Sequence, residues 1–213
     1  MKEYFTKVFG WLFIGLLTTF LGSFLVSSSP ALLSIVFSGP IYLILVIAEL
    51  AVAIYLGAKI NTMRASTAKI LYFVYALLTG VTFSSIFIIF ETSSIIFIFL
   101  ATSLIFGLFA LIGKFTKVDL SKISIYLAMI LFGIIILQII NIFFMNNTLD
   151  IVLCSISLII FMLFTAYDMQ KIARVAESGY GNENLAIIGA FQLYLDFINI
   201  FIKLLRLFGK QRD

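Results

Sequence analysis

The sequence predicts an all-α integral membrane protein with seven transmembrane helices in a single domain, residues 1–213. Three observations carry this reading. First, 63% of the residues are hydrophobic and only 11% are charged, and the mean hydropathy is +1.21. Water-soluble domains are near half apolar and about a quarter charged, so this chain lacks the polar surface for water and needs a lipid bilayer as its solvent. Second, the apolar residues gather in runs of about 20, the length of helix that crosses a hydrocarbon core of roughly 30 Å. Third, no run alternates in polarity with the rhythm of about ten residues that marks a transmembrane barrel strand.

The first span covers residues 8–26. Lys2 and Lys7 in front of it suggest a secretory signal peptide. Its apolar stretch exceeds the roughly 7 to 15 residues of a signal core, however, and no soluble domain follows that would need export, so it reads as a membrane helix. Ser27-Ser28-Ser29-Pro30 and Gly39-Pro40 mark turns before the second span, residues 41–58. The third and fourth spans, residues 70–90 and 95–113, are separated by Glu91-Thr92-Ser93-Ser94. Asn146-Asn147-Thr148 divides the fifth, residues 123–144, from the sixth, residues 149–167. Gly179-Tyr180-Gly181-Asn182 precedes the seventh, residues 185–208, which is free of proline and long enough to cross. Small residues such as Gly15, Gly22, Gly107 and Gly113 suit close helix packing, and the 24 phenylalanines suit lipid-facing and interhelical filling.

Lysine and arginine set the orientation. Lys2 and Lys7 precede the first span; Lys59, Arg64 and Lys69 follow the second; Lys114, Lys117 and Lys122 follow the fourth; Lys171 and Arg174 follow the sixth. The three intervening loops have none, so the positive-inside rule places the N-terminus in the cytoplasm. The net charge of +4 is thereby assigned to one membrane face and is no argument for a nucleic-acid partner. Lys210 and Arg212 fall outside if the seventh segment crosses and inside if it returns, which charge counting alone does not decide. The bias toward Ile, Phe, Lys and Asn fits an AT-rich bacterial genome and so a plasma membrane. Cys154 is the single cysteine, which excludes an intrachain disulfide and a thiolate metal cluster, and no cofactor is expected. Histidine is absent, so proton chemistry near neutral pH falls to carboxylates.

Glu49, Asp168, Asp196, Lys203 and Arg206 lie within or at the ends of the spans. A charge at the centre of a membrane helix costs roughly 2.5 to 3.5 kcal/mol on insertion scales, so each needs a partner, water or a function. Lys203 and Arg206 can snorkel to the headgroups, and Asp168 can be the wet end of the sixth span. Glu49 and Asp196 sit near the middle of theirs. At about 1.5 Å per residue, Asp168 and Asp196 come to similar depth in the cytoplasmic half, with Arg64 as the nearest counter-charge. Glu49 and Arg206 reach a common depth farther in, which suggests an ion pair there. Two carboxylates in a low dielectric share one proton, and one apparent pKa rises toward neutral. Such a pair is a proton sensor, and it is also an oxygen site for Ca²⁺. A purely structural acid pair satisfied by arginine is the alternative.

Ala166-Tyr167-Asp168-Met169-Gln170-Lys171-Ile172, Leu193-Tyr194-Leu195-Asp196-Phe197-Ile198-Asn199 and Leu204-Leu205-Arg206-Leu207-Phe208-Gly209 together resemble the signature of the Bax inhibitor-1 family. Glu49, Arg64 and Thr79-Gly80-Val81-Thr82 fall where that family places similar residues. The resemblance implies six helices wrapping a central seventh, and a pH-sensitive calcium leak rather than an enzyme. Asp168 and Asp196 would sense protons and bind the cation, Arg64 would partner them, and Glu49 with Arg206 would latch the other end. Calcium ions, protons and the bilayer are the implied partners, with no obligate protein partner. Lys203, one turn from Asn199, would add positive charge to such a pore, and the absence of an extended tail gives no ground for a role in cell death.

Three rivals use parts of the same equipment. An aspartyl intramembrane protease also pairs Tyr-Asp with a second Asp. That class needs Gly-x-Gly-Asp at the second acid, where this chain has Leu193-Tyr194-Leu195-Asp196, and its Pro-Ala-Leu element stands here as Pro30-Ala31-Leu32 in the first loop. A retinal protein would use Lys203 as a Schiff base but needs a carboxylate in the third span, which has none before Glu91. A proton-coupled transporter would use the same acid pair as a leak.

Overall fold

The computed structural model describes residues 1–59 and 62–212 and holds eight helices among them. They are α1 (Lys2–Ser27), α2 (Pro30–Val36), α3 (Ile41–Lys59), α4 (Ala65–Ile89), α5 (Thr92–Phe115), α6 (Ser121–Phe144), α7 (Asn147–Ser178) and α8 (Glu183–Phe208). All but α2 are long and apolar enough to cross a membrane, so the all-α, seven-span class holds. The extra element, α2, occupies a link read from sequence as turns. Its start signals are in the sequence: Ser29 is the N-cap, accepting from the Leu32 amide, and Pro30 opens the first turn.

α7 is the other departure, since it outlasts its apolar run and continues to Ser178. At 1.5 Å per residue it is about 48 Å long, well beyond a hydrocarbon core. Gln170, Lys171, Ala173, Arg174, Ala176 and Glu177 are good helix formers, so the helix persists past the end of the apolar stretch. Gly179, at a φ of +74°, ends it.

The chain gathers into two compact units. The first holds Met1–Thr92, Ala176–Tyr194 and the residues from Gln211; the second holds Ser93–Val175 and Leu195–Lys210.

In the first unit α1 lies against α4 at two glycines. A side-chain carbon at Gly80 would come within 2.8 Å of the Thr19 carbonyl oxygen and 3.3 Å of Gly22 Cα, so this crossing tolerates none. The start of α8 joins the starts of α1 and α4. Tyr4 donates to the Leu185 carbonyl at 3.0 Å, Lys69 pairs with Glu183 at 2.9 Å, and Asn184 donates to the Met63 carbonyl at 2.8 Å. After α8 the tail meets the far end of α4, where the Arg212 amide donates to the Ile89 carbonyl at 2.9 Å and its guanidinium to Thr92 Oγ1 at 3.1 Å. α8 therefore runs from one end of α4 to the other, and the tail lies on the side of the α4–α5 link. The seventh segment is thus one unbroken helix, long and apolar enough to cross, as expected from the sequence.

In the second unit Leu127 and Ile134 of α6 pack with Leu153 and Ile160 of α7. α5 crosses α7 at Gly113, where a side-chain carbon would overlap the backbone of Ala166. Gly107, expected to serve the same purpose, faces open space. Burial differs sharply among the spans: 67% of the most apolar window of α8 is buried against 6% of that of α3, the two extremes among the seven.

Candidate functional site

The second unit brings Asp168 of α7 and Asp196 of α8 together. Their carboxyl groups lie within hydrogen-bonding reach of each other, and the Thr165 hydroxyl reaches Asp196 from one turn earlier on α7. The residues are 7% and 4% exposed, which sets aside the reading of Asp168 as the wet end of its span. Thr165 is fully buried and also donates to the Phe161 carbonyl at 2.9 Å.

An ionised carboxylate only accepts hydrogen bonds, so the two carboxyls can bond to each other only with a proton between them. Asp168 Oδ1 and Asp196 Oδ2 have no hydrogen-bond partner among the described residues. Buried polar atoms are rarely left so, because the desolvation goes uncompensated. The arrangement has two chemical uses: it can pass between proton-holding and proton-free forms, and when proton-free it offers carboxylate and hydroxyl oxygens to a hard cation.

Just beyond the pair, α7 clamps the loop between α5 and α6. Gln170 Nε2 donates to the Val118 carbonyl at 2.8 Å and its Oε1 accepts from the Leu120 amide at 3.0 Å. Arg174 donates to Asp119 at 2.7 Å, and this bond to the guanidinium holds the Asp119 carboxyl down at about 2. Lys171 is the positive charge felt by Asp168.

The remaining residues singled out from sequence are placed differently. Arg64 is exposed at the N-cap of α4 in the first unit, and its side chain makes no capping bond. Glu49, also in the first unit, accepts from Thr79 Oγ1 at 2.7 Å and from Thr82 Oγ1 at 3.2 Å. Arg206 pairs with Asp150 in the first turn of α7 at 2.7 Å. α7 and α8 bring the start of one beside the end of the other, a neighbour that depth arithmetic on separate spans does not see. Lys203 lies near this pair, half-buried, and its carbonyl accepts from Cys154 Sγ.

Sequence reasoning passed over Asp150, Thr165 and Gln170. Thr165 was findable, since it stands three residues before Asp168 and so shares its helix face.

The family model described as Inhibitor of apoptosis-promoting Bax1 matches residues 1–213. The inner membrane protein YbhL of Escherichia coli K12 is 38% identical, over 100% of this chain and 93% of its own length. A protein of Borreliella burgdorferi is 33% identical, covering 100% of this chain and 94% of that one. A membrane protein of Streptococcus pyogenes serotype M3 is 30% identical, over 99% and 93%. Full-length agreement of the model and of relatives at this identity, on a chain of seven apolar spans, means that this multi-pass membrane protein belongs to the Bax inhibitor-1 family.

Proposed function

We propose that this protein is a pH-sensitive calcium leak of a bacterial plasma membrane, with its N-terminus in the cytoplasm. It acts as a conduit and not as an enzyme, and it needs no cofactor. The observation that carries the reading is the contact between two buried carboxyls, each with an oxygen unpartnered among the described residues. Proton and cation compete for the same oxygens, which couples flux to pH. The family resemblance also assigns Arg64, at the N-cap of α4, a gating part. Arg206 and Glu49 are gating residues, the first acting through Asp150 and the second through Thr79 and Thr82. The inner-membrane name of the Escherichia coli relative supports the location, and the loop lysines and arginines support the orientation.

The test is calcium flux into proteoliposomes between about pH 6 and 8, the region to which burial brings shared carboxylates. Wild-type flux should change across that interval, and Asp168→Asn with Asp196→Asn should flatten the change. An unaltered pH profile in the double variant would remove the pair from the mechanism. Aspartate-dependent cleavage of a membrane-spanning peptide would point to a protease instead.

A further inference from the structure

A groove on the second unit carries features that neither the acid pair nor helix packing uses. It lies where α5, α6 and α7 meet the loop between α5 and α6, walled by Phe109 and Ile112 of α5, Ile123 and Leu127 of α6 and Leu163 of α7. Thr116 and Leu120, at the two ends of that loop, close it on one side. Ile112, Ile123 and Leu163 are exposed, so in a bilayer the groove opens on lipid tails.

Two hydroxyls interrupt the apolar lining. Thr116 Oγ1 accepts from the Val118 amide at 3.3 Å, and its own proton has no acceptor among the described residues. Tyr167 of α7 also lines the groove and makes no side-chain hydrogen bond among the described residues. Both can donate to an oxygen that enters, and the ester carbonyls of a phospholipid are such oxygens at the boundary between tail and headgroup.

The rim beside these hydroxyls is basic and held in place. Between Gly113 and Ile123 the chain carries Lys114, Lys117 and Lys122 against one acid, Asp119. Asp119 is already engaged by Arg174 at 2.7 Å and by the Ser121 amide at 3.2 Å. Gln170 fixes the same loop through Val118 and Leu120. Lys117 follows Thr116 and Lys122 precedes Ile123, so an exposed lysine adjoins a lining residue on either side of the mouth. Basic residues flanking a cleft between membrane helices favour a headgroup that carries net negative charge.

We propose that this groove binds one anionic phospholipid, with an acyl chain between α5, α6 and α7, its ester oxygens at Thr116 and Tyr167, and its phosphate between Lys117 and Lys122. The acyl chain lies against Ala166, where α5 crosses α7 at Gly113, so the lipid braces that crossing. The site rests on the groove and its rim, and stands whether or not the protein leaks calcium.

The test reconstitutes the full chain in phosphatidylcholine liposomes with a trace of phosphatidylglycerol that bears a diazirine on one acyl chain, and maps the photo-adducts by mass spectrometry. Adducts at Ile123, Leu127 and Leu163 should exceed those at the exposed α3 residues Leu43, Ile47 and Leu50 about tenfold, and a phosphatidylcholine probe should label both sets alike. Unlabelled phosphatidylglycerol in excess should lower the groove adducts about tenfold and leave those of α3 unchanged, as competition for a saturable site requires. Lys117→Gln with Lys122→Gln should bring groove labelling down to the α3 level, while Lys117→Arg with Lys122→Arg should keep it. Leu163→Trp, which fills the groove and leaves every charge in place, should remove the adducts at Ile123 and Leu127. Tyr167→Phe should raise the phosphatidylglycerol fraction for half-competition about threefold. Groove labelling that excess phosphatidylglycerol does not displace would make the occupant ordinary boundary lipid and overturn the site. Undiminished labelling in the double glutamine variant would overturn the headgroup assignment. No calcium flux is read, so failure here and failure of the flux assay are distinguishable.

Discussion

At the scale of single residues, carboxylates differ in how far an apolar setting exposes them. Asp168 and Asp196 were legible because an acid inside an apolar run is conspicuous and costly. Asp150 was not, because it sits in the first turn of its helix, where a charge needs no explanation. A double-mutant cycle on Asp150→Asn and Arg206→Gln, read from thermal melting in detergent, should return a coupling of about 0.5 to 1 kcal/mol, the size usual for a partly exposed pair. A coupling of zero would mean that Arg206 is held elsewhere. The loop ion pair of Asp119 and Arg174 makes a useful control for pH. Its carboxyl is held at about 2, so what the pair contributes is present above the ordinary aspartate value of 3.8 and is lost only as pH falls toward 2. It does not titrate between about pH 6 and 8 and cannot produce a flux change there.

At the scale of elements, the seven long helices followed directly from hydropathy, because in lipid a helix is the way for a lone segment to satisfy its own backbone. What hydropathy missed was helix that does not depend on lipid. α2 rests on an N-cap and a proline, and the last three turns of α7 rest on propensity in polar surroundings. Packing at glycines was half legible, since composition marks small residues but not the face they occupy. Gly113→Ala should therefore force α5 away from α7 at Ala166, at a cost of about 1 to 3 kcal/mol, and disturb the turn that carries Thr165 and Asp168. Gly107→Ala has room and should leave melting and flux near wild type. Equal behaviour of the two variants would show that the α5–α7 crossing is not the tight one.

At the scale of the whole molecule, the number and order of the spans were legible, while their orientation rests on loop charge. Charge counting handles loops between spans and has no purchase on a tail that carries Lys210 and Arg212 after an odd number of crossings. Two hydrogen bonds from Arg212 tie the tail to Ile89 and Thr92, which fixes the neighbours to be tested. In a Cys154→Ala background, cysteines placed at Ser93 and at Lys210 should react with a membrane-impermeant maleimide from the same face, and a cysteine at Lys2 from the opposite one. Labelling of the Lys210 position together with the Lys2 position would return α8 to a re-entrant segment. The same anchors constrain how α8 can move. Its first turn is tied to Tyr4, Lys69 and Met63, and the chain just past its last turn is tied to Ile89 and Thr92. A rod pinned at both ends has no piston stroke. Whatever changes around Asp196 must come from twisting or bowing of that rod, or from its neighbours yielding, and not from sliding along the membrane normal.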